Sequence, residues 1–363
     1  MNVFPGTGAA QKMNALRGTL AEIRALPGQP APFPVGLWLD NGAAMELQGP
    51  KGDSWIAETL DMGYCAYTAN AFPFGTFHGA SVKTDVYHPD WTTPERVKYT
   101  IAVANVLARL CPPGRNASIS TLPGGYKTHM AETDLPCIAA NLLKTAEAFA
   151  HIQEETGIRV RLAVEMEPDC LWEAPAEFTA FYDKFLRHSP YAEHIGVCYD
   201  TCHQELLAGN PGDGLRHLEK RQVPIVKIQL SAAISTAAQS AWDALAASFQ
   251  DKVYLHQTRV LENGAVAAKW ADLPEALASG DRRMWRCHFH VPVFLDKIPG
   301  GLAAAKGELL ETIRILKLNP AICDTLEIET YSYNVLPDFL KEKSLADCLA
   351  KEAAYIDSLF EMQ

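Results

Sequence analysis

The sequence predicts an α/β protein whose whole chain, 1–363, forms one (β/α)8 barrel. Three observations carry this. Short apolar runs of strand type alternate with amphipathic helical segments, the pattern of a parallel sheet with crossover helices. Polar or acidic residues recur at the C-terminal tips of those runs, where an α/β barrel keeps its chemistry. No G-x-G-x-x-G follows the first strand, which argues against a dinucleotide-binding open sheet. At 363 residues the chain is long for one average domain but ordinary for a barrel.

Taken in order, MNVFPGT at the N-terminus is a very short apolar piece interrupted by Pro-Gly, read as the first strand. Met13, Leu16, Leu20, Ile23 and Leu26 recur at helical spacing until Pro27-Gly28 stops them. VGLWL (35–39) is a strand, residues 53–62 a helix, and YCAYTANAF (64–72) a strand. A long aromatic-rich loop follows, from Phe72 to Trp91. Helix 95–110, strand ASISTL (117–122), helix 132–156 and strand RVRLAVEME (159–167) continue the rhythm. Pro175 marks the start of the next helix. Strand IGVCYDTCH (195–203), a helix, strand VPIVKIQLS (223–231) and a helix over 232–249 come next.

Residues 253–296 break the alternation. VYLHQTRVL, Asn263-Gly264 and a short apolar run suggest a hairpin with an Asn-Gly turn, and RCHFHVPVF (286–294) is one more extended piece. A helix near 303–316 then precedes TLEIETYSY (325–333). That makes nine strand-like segments besides the hairpin for eight places, so RCHFHVPVF is assigned with the hairpin to an insertion after the seventh strand. The other count drops MNVFPG.

Composition sets limits on function. A net charge of -11 argues against a nucleic-acid partner, since affinity for the phosphate backbone comes mainly from Lys and Arg. Nine cysteines without a C-x-x-C, and the lack of a signal peptide pattern, fit reduced thiols in a cytoplasmic protein. No apolar run approaches eighteen residues, so no membrane span is expected. The expected partner is a small-molecule substrate, and a homo-oligomer is left open.

The candidate site lies at the late strand tips. Glu165 and Glu167 alternate on one strand, as do Glu327 and Glu329 on the last; two carboxylates on one buried face are costly unless a cation sits between them. Asp200 and His203 stand three apart at the end of IGVCYDTCH. The plain alternative is that Asp200 caps the following helix and His203 is a first-turn residue. Carboxylates at 165, 200 and 329, completed by His or Gln, make an oxygen-rich site suited to Mg²⁺, Mn²⁺, Co²⁺ or Zn²⁺. His288 and His290 at period two, and His256 in YLHQ, are further candidates. His78 and Trp91 of the aromatic loop would line the mouth, with Lys227 at the seventh strand.

The series AVEMEP, GVCYDTCH, KIQLS and EIETY resembles the xylose-isomerase-like TIM barrel superfamily of ketose epimerases, inosose dehydratases and endonuclease-IV-type enzymes. Over most of the chain, NAFPFGTFHG, VYHPDWTTPERVKYT, SISTLPGGYK, VCYDTCH, KIQLSAA, YLHQ, HFHVPVF and IETYSYNVLP resemble motifs of the EboE family, metabolite-traffic proteins of bacterial and algal secondary-metabolite clusters. The superfamily resemblance implies Glu165, Asp200 and Glu329 as metal ligands and His203 as a contact to substrate or a second metal. Gln229 stands where the superfamily commonly offers a seventh-strand His, and His290 or His256 would take over from it. The implied activity is metal-dependent isomerisation or epimerisation of a small polyhydroxylated metabolite, with Glu165, Glu329 and His203 catalytic and Glu167 and His288 near the substrate. A non-catalytic binding or traffic protein and an endonuclease-IV-like phosphodiester hydrolase are the alternatives.

Overall fold

Continuous Val, Ile, Ala and Cys runs leave both faces of a strand apolar, and such strands are stable only when covered on both sides. Seven of them form one parallel sheet in the computed structural model of the chain, which describes residues 1–78, 82–207, 209–238 and 240–362. The order is sequential: β1 (Phe33–Trp38), β2 (Tyr64–Asn70), β3 (Ala117–Thr121), β4 (Val160–Glu165), β5 (Ile195–Asp200), β6 (Ile225–Leu230) and, after an insertion, β13 (Leu326–Ile328). The sheet curls into a nearly closed barrel. Helices α1 (Ala9–Arg17) and α2 (Thr19–Arg24), broken apart at Gly18, precede β1. Helices α3 (Asn41–Glu46), α4 (Pro50–Asp61), α5 (Pro94–Leu110), α6 (Leu135–Thr156), α7 (Pro175–Phe185), α8 (Thr201–Glu205) and α9 (Asp213–Lys220) fill the crossovers.

The eighth place differs from the expectation. MNVFPG forms no strand: Pro5 cannot donate to a ladder and Gly6 turns away at φ 103°. The segment lies instead in the seam between β1 and β13, where the Met1 amino group donates to Gly36 O at 2.5 Å and Asn334 Nδ2 donates to Val3 O at 2.9 Å. Glu327 fills the rest of the seam. A Cβ on Gly36 would sit 1.7 Å from Glu327 Oε1, so any side chain there would push the Glu327 carboxylate out of the seam.

The insertion is a second sheet, larger than the hairpin expected from the sequence. Its order is β11 (Lys297–Ile298), β12 (Leu302–Ala305), β7 (Ala233–Thr236), β10 (Trp285–Cys287), β8 (Thr258–Glu262) and β9 (Ala265–Trp270), every pair antiparallel. Residues 233–236 are therefore strand, not helix, because Ala-Ile-Ser-Thr finds ladder partners on both sides. Helices α10 (Ala241–Ser248) and α11 (Leu273–Ala278) lie within the insertion. The β8–β9 turn is the anticipated Asn263-Gly264, at φ 52° and 74°, the positive-φ pair of a tight hairpin. Of RCHFHVPVF only the first residues are laddered; 288–294 run on as irregular backbone toward the barrel mouth.

Helix α12 (Gly307–Leu318) leads to β13, and α13 (Leu345–Glu361) closes the chain. Among the described residues no helix is long and apolar enough to cross a membrane. All nine cysteines are free thiols. One residue of α13 reaches the mouth: buried Glu352 accepts from Thr330 Oγ1 at 2.6 Å and from Val293 N at 3.1 Å, while its other oxygen has no partner. Burial raises its carboxyl from 4.5 to about 7, offset in part by those two donors. The folded state thus favours the protonated form. Its contribution is whole below about pH 4.5, declines as pH rises, and is gone above about 7, a swing of roughly 3 kcal/mol. Chemical denaturation at pH 5 and pH 8 should show Glu352→Gln losing less stability over that interval than the wild type, by this order.

Candidate metal centre

The carboxylate half of the site is set by strand register. β4 ends on Glu165, β5 ends on Asp200, and Glu329 follows β13 directly. Oxygens of these three buried residues lie within 4.8 Å of one another. Glu165 Oε2 and Asp200 Oδ2 are buried without any hydrogen-bond partner. The capping reading of Asp200 also holds, but on its other oxygen: Oδ1 accepts from Cys202 N at 2.7 Å, His203 N at 3.1 Å and Ser231 Oγ at 2.7 Å. One carboxylate both starts α8 and leaves a free oxygen facing Glu165 and Glu329.

Charge explains the titration. Burial, then the neighbouring carboxylates, push Glu165 and Glu329 well above the usual range. Burial works against Asp200 too, but His203, His290 and the Ser231 hydroxyl hold it below its ordinary value. Lys227 lies under the trio, fully buried, donating to Ser120 Oγ at 3.0 Å and paired with Glu327; that pairing keeps its ammonium charged despite burial.

The second half is built from imidazoles. His203 Nδ1 faces Met166 O at 3.1 Å, His288 Nδ1 faces Gln257 Oε1 at 2.7 Å, and His290 Nδ1 faces Glu329 O at 2.8 Å. Each partner is an oxygen that accepts, so each Nδ1 carries the ring proton and each Nε2 presents a lone pair. Those lone pairs converge, with His288 Nε2 at 3.1 Å from His203 Nε2 and 3.2 Å from His290 Nε2. Burial lowers His288 well below the usual range and His290 to about 4, so protonation does not relieve the crowding. Nitrogens on a tetrahedral ion with bonds near 2.0–2.1 Å stand about 3.3 Å apart. The donor set therefore offers two adjacent places for a divalent cation: Glu165, Asp200 and Glu329 at one, and at the other His203 with either His290 and Asp200 or His288 and Glu167. Nitrogen ligands on the second favour a transition metal there.

No protein-family model and no curated protein matches the chain. Among solved structures, a xylose isomerase-like TIM barrel protein from Mycobacterium smegmatis, in complex with magnesium, is 11% identical with a TM-score of 0.52, over 99% of this chain and 94% of that one. The fold is that of the xylose-isomerase-like TIM barrels. Two further structures are the IOLI protein with a bound zinc atom (10% identity, TM-score 0.48, 99% and 95% of the two chains) and the probable 3-DHS dehydratase AsbF from Bacillus anthracis (14%, 0.47, 89% and 88%).

Within this xylose-isomerase-like barrel the remaining candidates fall in varied places. Gln229 is fully buried beside the trio, its Oε1 accepting from Cys198 Sγ at 3.0 Å and its Nε2 without a partner. Glu167 accepts from Tyr87 OH at 2.9 Å. Four candidates are engaged by the scaffold instead. Trp91 is fully buried with its indole donating to Thr121 Oγ1 at 3.2 Å, and Lys227 lies in the barrel interior. His256 contacts Asp251 and, through Nδ1 at 2.7 Å, His288 O. His78 binds Tyr254 OH at 2.6 Å and Asn2 O at 2.5 Å. Residues 79–81 of the aromatic loop lie outside the described residues.

Sequence reasoning missed Cys202, whose thiol groups with His288 and His290, and Gln257, which fixes the His288 tautomer. The only signal for Gln257 was its place after His256 in YLHQ. Gln257 Nε2 donates to Pro168 O at 3.1 Å, so the amide orientation is fixed and Oε1 must face the imidazole. Partners of this kind typically account for 10- to 100-fold in metal affinity. Gln257→Leu should weaken Zn²⁺ binding by about that factor, read by chelator competition, with the circular dichroism spectrum unchanged.

Proposed function

We propose that the chain is a divalent-metal-dependent isomerase- or epimerase-type enzyme acting on an α-hydroxycarbonyl metabolite. By its motif resemblance to the EboE family, its substrate belongs to a secondary-metabolite pathway. The observation that supports this most is the pair of unpartnered oxygens, Glu165 Oε2 and Asp200 Oδ2, beside Glu329. A buried anionic oxygen without a donor costs several kcal/mol unless a cation or proton joins it.

A divalent ion held by Glu165, Asp200 and Glu329 would polarise a carbonyl and the adjacent hydroxyl, acidifying the carbon between them. The protein residues do the rest. Glu165 and Glu329 reach the mouth from different strands, so one carboxylate oxygen can take the proton from that carbon and the other return it. Asp200, held ionised and tied to α8, keeps the negative charge that anchors the centre. Tyr87 fixes Glu167 by donating to it. The cavity reaches Glu165 and Glu329 of the trio, with Glu167, His203, His288, Asn2, Asn70 and Lys83 among its other polar and charged residues.

The imidazole triad favours a second reading, a two-cation phosphodiester hydrolase. Against it, Lys83 is the one cationic side chain lining the cavity among the described residues, and it is already bound to Asp272 at 2.7 Å.

The test is metal content by elemental analysis of the purified protein beside Glu165→Gln and Asp200→Asn, followed by NMR detection of α-proton exchange in D₂O across a panel of hydroxyketones and cyclitols. Stoichiometric transition metal lost in both variants, with exchange slowed about 10²- to 10⁴-fold in Glu329→Gln, is the expected result. Metal-loaded protein inert on the whole panel would sink the reading.

A further inference from the structure

The centre accounts for one side of the cavity only. The rest of its lining is mainly apolar, Phe72, Pro73, Phe77, Val82, Val86 and Leu255 with the faces of Tyr254 and Tyr331, and its remaining polar residues are Asn2, Asn70, Lys83 and Tyr87. Phe77 packs against both tyrosine rings, at 5.1 and 5.4 Å between centroids, and Tyr331 lies against His290 at 4.7 Å. The aromatic surface thus runs up to the metal centre.

A sugar in such a site needs a protein donor or acceptor for each hydroxyl, because every one left unmatched costs desolvation free energy. Most of the polar groups that might serve are already engaged with the protein, Asn2 among them through its Nδ2, which donates to Glu329 Oε1 at 2.5 Å. Tyr87 OH donates to Glu167, Tyr254 OH pairs with His78, and Lys83 Nζ donates to Tyr254 O at 2.6 Å and to Asp272. Asn70 Nδ2 donates to Glu329 Oε1 at 3.3 Å, and its Oδ1 accepts from Phe72 N at 2.8 Å. Among the described residues the Tyr331 hydroxyl is the one aromatic hydroxyl of the lining without a partner.

From this we infer that the substrate joins a small chelating oxygen head to an apolar, planar body. The hydroxyketone or vicinal oxygens face Glu165, Asp200 and Glu329, and an aryl or similarly flat hydrocarbon portion lies along Phe72, Phe77 and Val86. A free ketose, the substrate that an unmodified sugar-isomerase barrel would take, is the wrong shape of polarity for this cavity. This inference rests on the reading of the carboxylate trio as the pole that binds the head group.

The decisive experiment compares ligands sharing one head. Binding of 2-hydroxyacetophenone, hydroxyacetone and D-fructose to the zinc-loaded protein is measured by calorimetry, and again after EDTA treatment. The aryl ketol should bind about ten- to fiftyfold tighter than hydroxyacetone, from the apolar area it buries, with fructose no tighter than hydroxyacetone. Val86→Ser should shrink the aryl-to-methyl ratio severalfold. Fructose binding more tightly than the aryl ketol, or no detectable aryl ketol binding at millimolar concentration, overturns the inference while leaving the metal reading intact. Equal aryl ketol affinity with and without metal, ahead of fructose in both, upholds the apolar body and instead removes the metal from the head group's recognition.

Discussion

Three buried carboxylates whose oxygens lie within 4.8 Å are the constraint around which the molecule is arranged. Like charges at that separation in a low-dielectric interior repel by several kcal/mol, and burial adds to the penalty. Much of the surrounding chemistry reads as a response. Lys227 stands beneath, kept charged by Glu327 and oriented by Ser120. Asp200 spreads its charge over two backbone amides and the Ser231 hydroxyl. What is left over, two oxygens with no donor, is the part that only a cation or a proton completes. A barrel tolerates this because its strand tips meet at one mouth, where residues far apart in sequence converge at no cost in core packing.

The imidazole half is assembled by different means. His203 comes from the barrel on the first turn of α8, whereas His288 and His290 arrive on irregular backbone that leaves the antiparallel insertion. Two main-chain carbonyls bind the halves together: Met166 O orients His203 and Glu329 O orients His290. Both carbonyls belong to, or directly follow, carboxylate residues of the other half. The position of each lone pair is thereby tied to the strand that supplies an oxygen ligand.

Much of this was legible in the sequence. E-x-E on a strand places both carboxylates on one face whatever the tertiary partners, and D-x-x-H at a strand-to-helix junction brings cap and imidazole together through local geometry alone. The parallel strands were legible for the same reason, since runs of Ile, Val, Ala and Cys have few other stable homes. The features that stayed hidden depend on partners distant in the chain. Ala233–Thr236 looks helical in isolation and is strand because β10 and β12 flank it. MNVFPG reads as a strand end, but Pro5 and the Glu327 side chain settle the seam. Trp91 and Lys227 carry the side chains a substrate site would use, and only burial among Thr121, Ser120 and Glu327 shows them to be scaffold. Gln257 has no signature at all, since an orienting amide is recognised by what it faces.

The division of the centre between two sheets has a consequence for how such a chain can change over time. The barrel and its carboxylates do not use the insertion's ladder bonds, and the insertion's strands pair only with one another. On the proposed metal reading, substitutions that loosen the smaller sheet would withdraw two nitrogens while the barrel stood, leaving the carboxylate position without its neighbour and passing through no unfolded intermediate. On that reading the number of ions, and with it the class of reaction, is a trait that drift in the smaller sheet can revise while the barrel is left alone.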